Sequence, residues 1–319
     1  MSTMNLSRTY IRAPKRLEYS ASQKVLHAVF GMCLAPVFWL LAAMRGAPGM
    51  RYRAKCLMLA LKLLFAPKAH MPTQHALRLI YMPMDSTRYF EFDFVDRSLA
   101  NYRVERLLDV SSPRLVPVMM ARDRSSMRAD LLNPDAKDMD ITRELVNAAG
   151  LADRCRLQAR PIEETSFEPE SFDAVTCISV LEHIPGDVAA VRTMWSLVKP
   201  GGVLLLTLPC MSQASEQYID YDEYGLLEAD EAGFVFWQRF YDAHLLEERI
   251  FSIVGRPVKS AVYGEKVRGS FFRNAQLKRK GAGYPFWREP YMMATEYSYF
   301  DDISELPGDG VVGLVFVKQ

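Results

Sequence analysis

The sequence predicts an α/β protein with a doubly wound, mostly parallel sheet, and three observations lead to that prediction. Strand-like and helix-like segments alternate from about residue 104 onwards, which is the order in which parallel sheets are built. Residues 203–208 are almost purely apolar, as expected of a strand that is covered on both faces. The chain has 319 residues, 50% of them hydrophobic and 24% charged, which suits one large domain with an appendage.

The other strands before residue 203 are short runs rich in apolar or β-branched residues. They are predicted at 104–110, 126–131, 154–159 and 172–179. The helices between them carry apolar residues at helical spacing, and the second and third of them are closed by Gly or Pro. They are predicted at 113–122, 136–149 and 188–198. Because ligands bind at the carboxyl ends of the strands in such sheets, the residues that follow each strand are the candidate site.

Residues 1–80 form a basic and apolar arm that the sequence predicts to be helical. Residues 1–70 hold eleven Lys and Arg and one acidic residue, a charge of +10, so the rest of the chain carries −9. Residues 25–44 contain no formal charge and are long enough to span a bilayer. His27 and Pro36 within them would be costly in a lipid-exposed helix.

Three interpretations of the arm stay open. Its helices could cap the domain or form a homodimer contact. Residues 1–70 could lie on an anionic membrane as a basic amphipathic segment. Residues 25–44 could cross the bilayer. Nucleic acid is not expected as a partner, because the basic residues alternate with large apolar ones instead of forming a solvated basic tail.

The cysteines predict no metal site and no disulfide framework. Five are present, without a CxxC pair or a Cys/His cluster. Free thiols in a mostly soluble chain suit the cytoplasm, where such thiols stay reduced.

Three segments resemble the class I S-adenosylmethionine (SAM)-dependent methyltransferases, in particular their broad small-molecule group. Residues 172–184 (FDAVTCISVLEHI) look like the fourth strand of that family and the turn after it. Residues 197–207 (LVKPGGVLLLT) look like its fifth-strand motif, and residues 107–110 (LLDV) sit where its first strand belongs. The resemblance covers about residues 104–208.

This resemblance implies SAM as cofactor and a Rossmann-like methyltransferase fold with seven strands. The last strand of that fold runs antiparallel, and residues 311–317 are the candidate for it. Residues 240–251 would form the helix before it.

The first turn of the site departs from the family, whose usual motif there is Asp-x-Gly-x-Gly. Here the turn runs from Asp109 through Ser111 and Ser112 to Pro113, and both glycines are absent. Ser112 is a good N-cap and Pro113 suits a first helical position, so we expect a rebuilt helix start whose N–H groups face a carboxylate. Ser111 or Ser112 would donate to the methionine end of SAM. The alternative is a catalytically inactive scaffold that no longer binds SAM.

Five further residues complete the predicted cofactor site. Asp130 matches the acidic residue that accepts from both ribose hydroxyls in the family, although it could also cap a helix. Glu163 would replace the acid that meets the adenine amino group. Ser179 directly follows the fourth strand of the family pattern. Arg88 and Tyr89 would cover the carboxylate of SAM from a lid segment, unless they merely lead into a helix.

Methyl transfer to a hydroxyl is helped by a base, and His183 after the fourth strand is the candidate. A histidine that only holds the turn is the competing interpretation. Residues 209–310 would form the acceptor and lid region. Within them, 211–236 carry seven acidic residues, 265–288 seven basic residues and 284–300 seven aromatic residues. Basic and aromatic residues together suit a small, glycan-linked or lipid-linked acceptor. The competing interpretation is that the aromatic side chains only pack within the lid.

The sequence therefore predicts a cytoplasmic SAM-dependent methyltransferase, acting on oxygen, with a basic arm at residues 1–80 and a methyltransferase-like domain at residues 81–319. Residues 104–208 would be its SAM-binding half.

Overall fold

A computed structural model describes residues 6–12, 20–65, 73–221, 225, 227–280 and 284–319. The strands are β1 (Ser7–Ile11), β2 (Arg106–Val110), β3 (Arg128–Leu132), β4 (Cys155–Gln158), β5 (Phe172–Ile178), β6 (Val198–Cys210), β7 (Ser215–Ile219), β8 (Val235–Phe240), β9 (Lys259–Glu265), β10 (Tyr297–Phe300) and β11 (Gly310–Val317). The helices are α1 (Ala21–Met44), α2 (Met50–Phe65), α3 (Thr73–Tyr81), α4 (Arg88–Leu99), α5 (Leu115–Asp123), α6 (Ala136–Ala148), α7 (Asp187–Leu197), α8 (Ala243–Leu246), α9 (Ser252–Val254), α10 (Ser270–Lys280) and α11 (Glu289–Glu296).

Within the described residues, the main sheet has eight strands in the order β10-β9-β11-β6-β5-β2-β3-β4. Strands β6, β5, β2, β3 and β4 are parallel, and β11 runs antiparallel to both of its neighbours. The predicted doubly wound sheet and its antiparallel last strand are confirmed. The expected number of seven strands is wrong by one, because β10 pairs with β9 and extends the edge.

Helices cover both faces of this sheet, which explains the almost continuous apolar sequence of β6. Leu205 packs into the hydrophobic cluster on one face, with α4 and α5. Leu204 and Leu206 pack into the cluster on the other face, with α7. Because successive side chains of a strand point to opposite faces, every position of a strand buried on both sides faces an apolar layer.

A second, three-stranded sheet has the order β1-β7-β8. β1 lies parallel to β7, and β8 lies antiparallel to it. The arm was expected to be helical throughout, but its residues 7–11 form this edge strand because β7, far away in the sequence, offers them a partner. Residues 1–5, 13–19 and 66–72 of the arm lie outside the described residues.

The two long arm helices differ in how they contact the rest of the chain. α1 packs on α11 and on the short turn Phe286–Arg288. α2 enters the main core through Tyr52, Cys56 and Leu59, all buried. The buried Arg53 links these parts, since its guanidinium donates to the hydroxyl of Tyr89 at 2.9 Å and to backbone carbonyls at the end of α3.

Two predicted helices begin later than expected. The helix predicted at 113–122 is α5, which starts at Leu115 after Arg114, without a side-chain cap. The helix predicted at 240–251 starts at Ala243, because Phe240 still belongs to β8, and it contains a π-helical segment, Glu247–Phe251.

Candidate functional site

The candidate site lies where the winding of the main sheet reverses, between β2 and β5. From β2 the chain continues to β3 and β4 on one side, whereas β5 leads to β6 on the other. In open α/β sheets, ligands bind in the crevice at the carboxyl ends of the strands at this point. The two residues that leave the sheet here are Ser111, after β2, and Ser179, after β5.

Both serines have a left-handed backbone conformation that non-glycine residues seldom adopt. The φ angle is 56° at Ser111 and 53° at Ser179, and Ser86, just before α4, has 47°. Such a conformation costs about 1–3 kcal/mol per residue and is concentrated at functional sites. The chain therefore carries backbone strain at both strand ends of the switch point.

Asp109 holds the turn after β2 from inside. Its carboxylate accepts from the Ser112 N–H at 3.1 Å and from the Thr176 hydroxyl at 2.6 Å. The side chain is buried, and this burial raises its pKa to about 6, against the opposing hydrogen bonds from Thr176 and Ser112. Asp109 thus fixes the two strands to each other and does not face outwards to a ligand.

The hydroxyls of Ser111 and Ser112 are also used within the turn. Ser111 donates to the Leu132 carbonyl through its N–H at 2.7 Å and through its hydroxyl at 3.2 Å. The Ser112 oxygen accepts from the Ile178 N–H at 3.1 Å. The expectation that Ser112 caps the following helix is wrong, because this contact ties it to the end of β5 instead. Donation from either hydroxyl to SAM stays a prediction.

Two buried carboxyl groups meet the end of β5. Glu91, on α4, accepts from the Thr207 hydroxyl at 2.9 Å and from the Ser179 hydroxyl. Glu182 lies on the short helical turn Leu181–His183. Both side chains are buried, and the second oxygen of each has no hydrogen-bond partner within the part of the chain that the structure describes.

Burial raises the pKa of both carboxyl groups. For Glu91 the hydrogen bond from Ser179, the charge of Arg88 and the hydrogen bond from Thr207 oppose this effect. The pKa of Glu182 is raised well above its usual range by burial, and the nearby Glu91 adds to the rise. A bound cation would lower both values, because it favours the charged form of each carboxyl group.

His183 adjoins these carboxyl groups. Its Nδ1 lies within hydrogen-bonding distance of the Trp237 carbonyl oxygen, and its Nε2 is 3.8 Å from Glu182 Oε1. Since a carbonyl can only accept, Nδ1 carries the proton and Nε2 the lone pair. Burial lowers the pKa of His183 to about 4, and the charge of Arg88 contributes to this. The ring is therefore neutral at physiological pH.

Arg88 and Tyr89 are predicted to cover the ligand together, but their side chains contact different parts of the chain. Arg88 pairs with Asp85 at 3.5 Å, and its charge acts on Glu91, Glu182 and His183. Tyr89 is fully buried, with its hydroxyl on Arg53 of α2. Its ring therefore belongs to the interface with the arm, and only Arg88 lies near the site.

Asp130 lies inside β3, two residues before its end, and not at the strand exit. It is half-buried, and Gln158 Nε2 is 3.5 Å from its carboxylate. Burial raises its pKa, against the charges of Arg106 and Arg156. Asp130 does not cap a helix, because the residue that caps α6 is Asp135. Its contact with ribose stays a prediction.

Glu163 is exposed on the short turn Ile162–Glu164, which follows β4. This position is at the same edge of the sheet as the exits of β2 and β5, since all these strands are parallel. Glu163 can therefore reach a ligand laid across the strand ends, and its contact with adenine stays a prediction.

The residues present fit the methionine end of SAM. Its ammonium and sulfonium groups are cationic. The unpartnered oxygens of Glu91 and Glu182 would accept a hydrogen bond from the ammonium group or attract the sulfonium group by charge. Leaving a buried acceptor unsatisfied costs about 1–3 kcal/mol, and a cationic donor at this place would offset that cost. Sequence reasoning missed Glu91, although its spacing of three residues from Arg88 puts both on one face of a helix.

Metal ligation finds no support among the described residues, where no group of three or more His, Cys, Asp or Glu is arranged to hold an ion.

Comparison with known proteins points to the same half of the chain. The sequence model of a family described as a methyltransferase domain matches residues 117–206. The match begins within α5, so the turn after β2 that lacks the two glycines lies outside it.

Two similar proteins are both named ubiquinone biosynthesis O-methyltransferase. One, from Xanthomonas campestris pv. campestris, is 40% identical over 75 residues, which are 22% of this chain and 31% of that protein. The other, from Xanthomonas euvesicatoria pv. vesicatoria, is 32% identical over 110 residues, 33% of this chain and 46% of that protein. The similarity thus spans less than half the length of these relatives.

Among solved structures, the crystal structure of MccD protein superposes with a TM-score of 0.50. The alignment covers 74% of this chain and 100% of that one at 10% identity. This likeness concerns the fold alone.

Proposed function

We propose that this chain is a class I SAM-dependent methyltransferase that transfers a methyl group from SAM to an oxygen atom of a small or lipid-linked acceptor. The match of residues 117–206 to a methyltransferase domain supports this proposal. One observation carries the proposal. At the switch point of the sheet, two buried carboxyl groups each keep an unpartnered oxygen beside two strained strand exits.

The protein's own residues would bind and orient the cofactor. Glu91 would accept from the ammonium group of SAM. The hydroxyls of Ser179 and Thr207 donate to the Glu91 carboxylate and so keep that side chain in place. Arg88 would approach the carboxylate of the cofactor. The left-handed Ser111 lets the chain turn sharply after β2, as glycine does in the related turn. When bound, SAM supplies a methyl group that is already activated on a sulfonium, so alignment and proton removal are the tasks left to the protein.

His183 supports transfer to oxygen. A neutral imidazole with its lone pair on Nε2 can take the proton of an acceptor hydroxyl during transfer. The carbonyl of Trp237 would orient the ring and stabilise the positive charge that then forms. The similar proteins named O-methyltransferases support the same choice of atom.

The acceptor side is proposed to lie between β8 and α10. A cavity of about 30 Å³ opens there next to Trp237, and Gln217, Gln238 and Phe271 contribute to its walls. This volume holds about one water molecule, so an acceptor would enter as α10 moves away from β8. Amide and aromatic side chains together suit a ring that carries hydroxyl groups.

The proposal is tested by calorimetric titration of the full chain with S-adenosylhomocysteine. The Glu91→Gln variant keeps an acceptor for Ser179 and Thr207 but loses the charge. Because a hydrogen bond to a charged group contributes about 1.5–3 kcal/mol, its affinity should fall roughly tenfold or more. Glu305→Gln removes an exposed carboxylate of the same kind that is not among the residues of the switch point, and it should bind like the wild type.

Micromolar binding that Glu91→Gln weakens and Glu305→Gln preserves is the expected result. An additional Asp130→Asn titration decides whether Asp130 contributes to the affinity. A folded wild type that binds no S-adenosylhomocysteine would overturn the proposal in favour of a scaffold without cofactor. With SAM carrying a labelled methyl group and a set of hydroxyl-bearing acceptors, His183→Gln should lower the transfer rate without lowering the affinity for S-adenosylhomocysteine.

A further inference from the structure

Helix α1 presents an apolar face to solvent along its whole length. Large side chains on this face are between 48% and 74% exposed. They are Val25, Leu26, Val29, Phe30, Val37, Leu40 and Met44. A continuous apolar surface of this size is rare on a soluble monomer and marks an interaction site.

The opposite face of α1 is fixed to the folded domain. Gly31 packs against the Trp287 ring, and His27 Nε2 lies 3.1 Å from the Tyr284 carbonyl oxygen. Phe38 meets Tyr291 with ring centroids 5.6 Å apart. α1 is the one helix among the described residues that is long and apolar enough to cross a membrane. With these contacts intact it cannot do so, because the domain would have to enter the bilayer with it.

Exposed basic residues stand at both ends of α1. Lys24 lies near its start, and Arg45 and Arg51 lie just beyond its end, all three exposed. Neither α1 nor α2 contains an acidic residue. Lys55 of α2 does not contribute, because Asp96 and Asp123 neutralise it at 2.8 Å each.

We propose that the exposed face of α1 binds the surface of an anionic lipid bilayer, with the helix axis in the plane of the interface. An apolar face on a helix with basic residues at both ends matches a surface of acyl chains and acidic headgroups. A second copy of the chain is a poorer occupant. Pairing two such faces would bring the exposed basic residues Lys24, Arg45 and Arg51 of two copies together, with no acidic residue on α1 or α2 to compensate them. This inference does not depend on methyl transfer.

Flotation of the full chain with lipid vesicles tests the proposal. The vesicles contain phosphatidylcholine alone or with phosphatidylglycerol. The wild type should float with the anionic vesicles, and less so at high salt, because salt screens the basic residues. The triple variant Leu26→Gln, Phe30→Gln, Leu40→Gln removes three exposed apolar side chains. Its partitioning should fall about tenfold or more.

The matched control replaces three exposed apolar residues elsewhere: Ile141→Gln, Val258→Gln and Val267→Gln. This control should float like the wild type. If the α1 variant does not fold, Lys24→Glu with Arg51→Glu tests the electrostatic part on its own and should weaken binding to the anionic vesicles. The proposal is overturned by a wild type that stays with the soluble fraction. It is equally overturned by an α1 variant that floats as well as the control, or by a wild-type dimer that the α1 variant dissociates while neither binds vesicles.

Discussion

Ser111 stands where the resembling enzymes have glycine, and its backbone keeps the left-handed conformation with φ of 56°. Its hydroxyl and N–H both donate to the Leu132 carbonyl, so β2 and β3 stay joined beyond their last paired residues. The sequence correctly indicated an altered turn at this place. The turn is not rebuilt as a new helix start. Instead, Ser111 keeps the left-handed backbone conformation of a glycine, at the cost of backbone strain that glycine would not have.

Replacing Ser111 should reveal that strain. Both Ser111→Gly and Ser111→Ala remove the hydroxyl, but only alanine keeps a Cβ that conflicts with a left-handed backbone. We expect Ser111→Gly to be more stable than Ser111→Ala by about 1 kcal/mol in urea unfolding. Ser196 is an exposed residue inside α7. There we expect Ser196→Ala to be more stable than Ser196→Gly, because alanine favours a helix over glycine by about 1 kcal/mol. Equal stability of the two Ser111 variants would contradict the strained turn.

The sequence predicted only some of the residues that form the site. Asp109, Ser179 and His183 follow from strand ends, since the carboxyl ends of parallel strands meet at one edge. Their roles did not follow, because Asp109 faces inwards to Thr176. Glu91 could not be assigned from the sequence, since its contact with Ser179 joins α4 to a strand end far along the chain.

At the scale of elements, β5 and α7 were predicted to within one residue, because a strand buried on both faces and a helix ended by Pro and Gly leave clear patterns. β6 was predicted at 203–208 but runs from Val198 to Cys210, so its start was placed five residues too late. β1 was missed. Its residues alternate too weakly to predict a strand, and only pairing with β7 orders them.

The docking of α1 depends on the absence of a side chain at Gly31. A Cβ at this position would overlap the Trp287 ring. Gly31→Val should therefore lower the free energy of unfolding by about 1–3 kcal/mol, although valine favours a helix more than glycine does. Ala28→Val, at an exposed position of the same helix, should lower it by only about 0.5 kcal/mol, through the poorer helix propensity of valine alone. Faster proteolysis within α1 in Gly31→Val alone would confirm this, and equal behaviour of both variants would contradict it.

For the whole molecule, two buried groups of the site make stability depend on pH in opposite directions. Asp109 has a pKa raised to about 6. Between pH 4 and 6 the folded state thus binds more protons than the unfolded state, and stability falls as pH rises. His183, with a pKa lowered to about 4, binds fewer protons when folded, so its contribution to stability rises over pH 4 to 6.5.

Comparing the wild type with Asp109→Asn isolates the first of these effects. Since one pKa unit corresponds to about 1.4 kcal/mol, the stability of the wild type relative to the variant should fall by about 3 kcal/mol from pH 4 to pH 7. The His183 contribution is common to both proteins and cancels. Urea unfolding at several pH values measures the difference. A difference that does not change with pH would show that Asp109 titrates as it does in the unfolded chain.

The pairing of β1 with β7 also sets an order of events during synthesis. Ser7 pairs with Ser215, so β1 leaves the ribosome long before its partner exists. At roughly 5–20 residues per second, it waits on the order of ten seconds or more. During this time α1, next to it in the sequence, already presents its apolar face. The start of the chain is therefore the part most in need of a chaperone or an early lipid contact while translation continues.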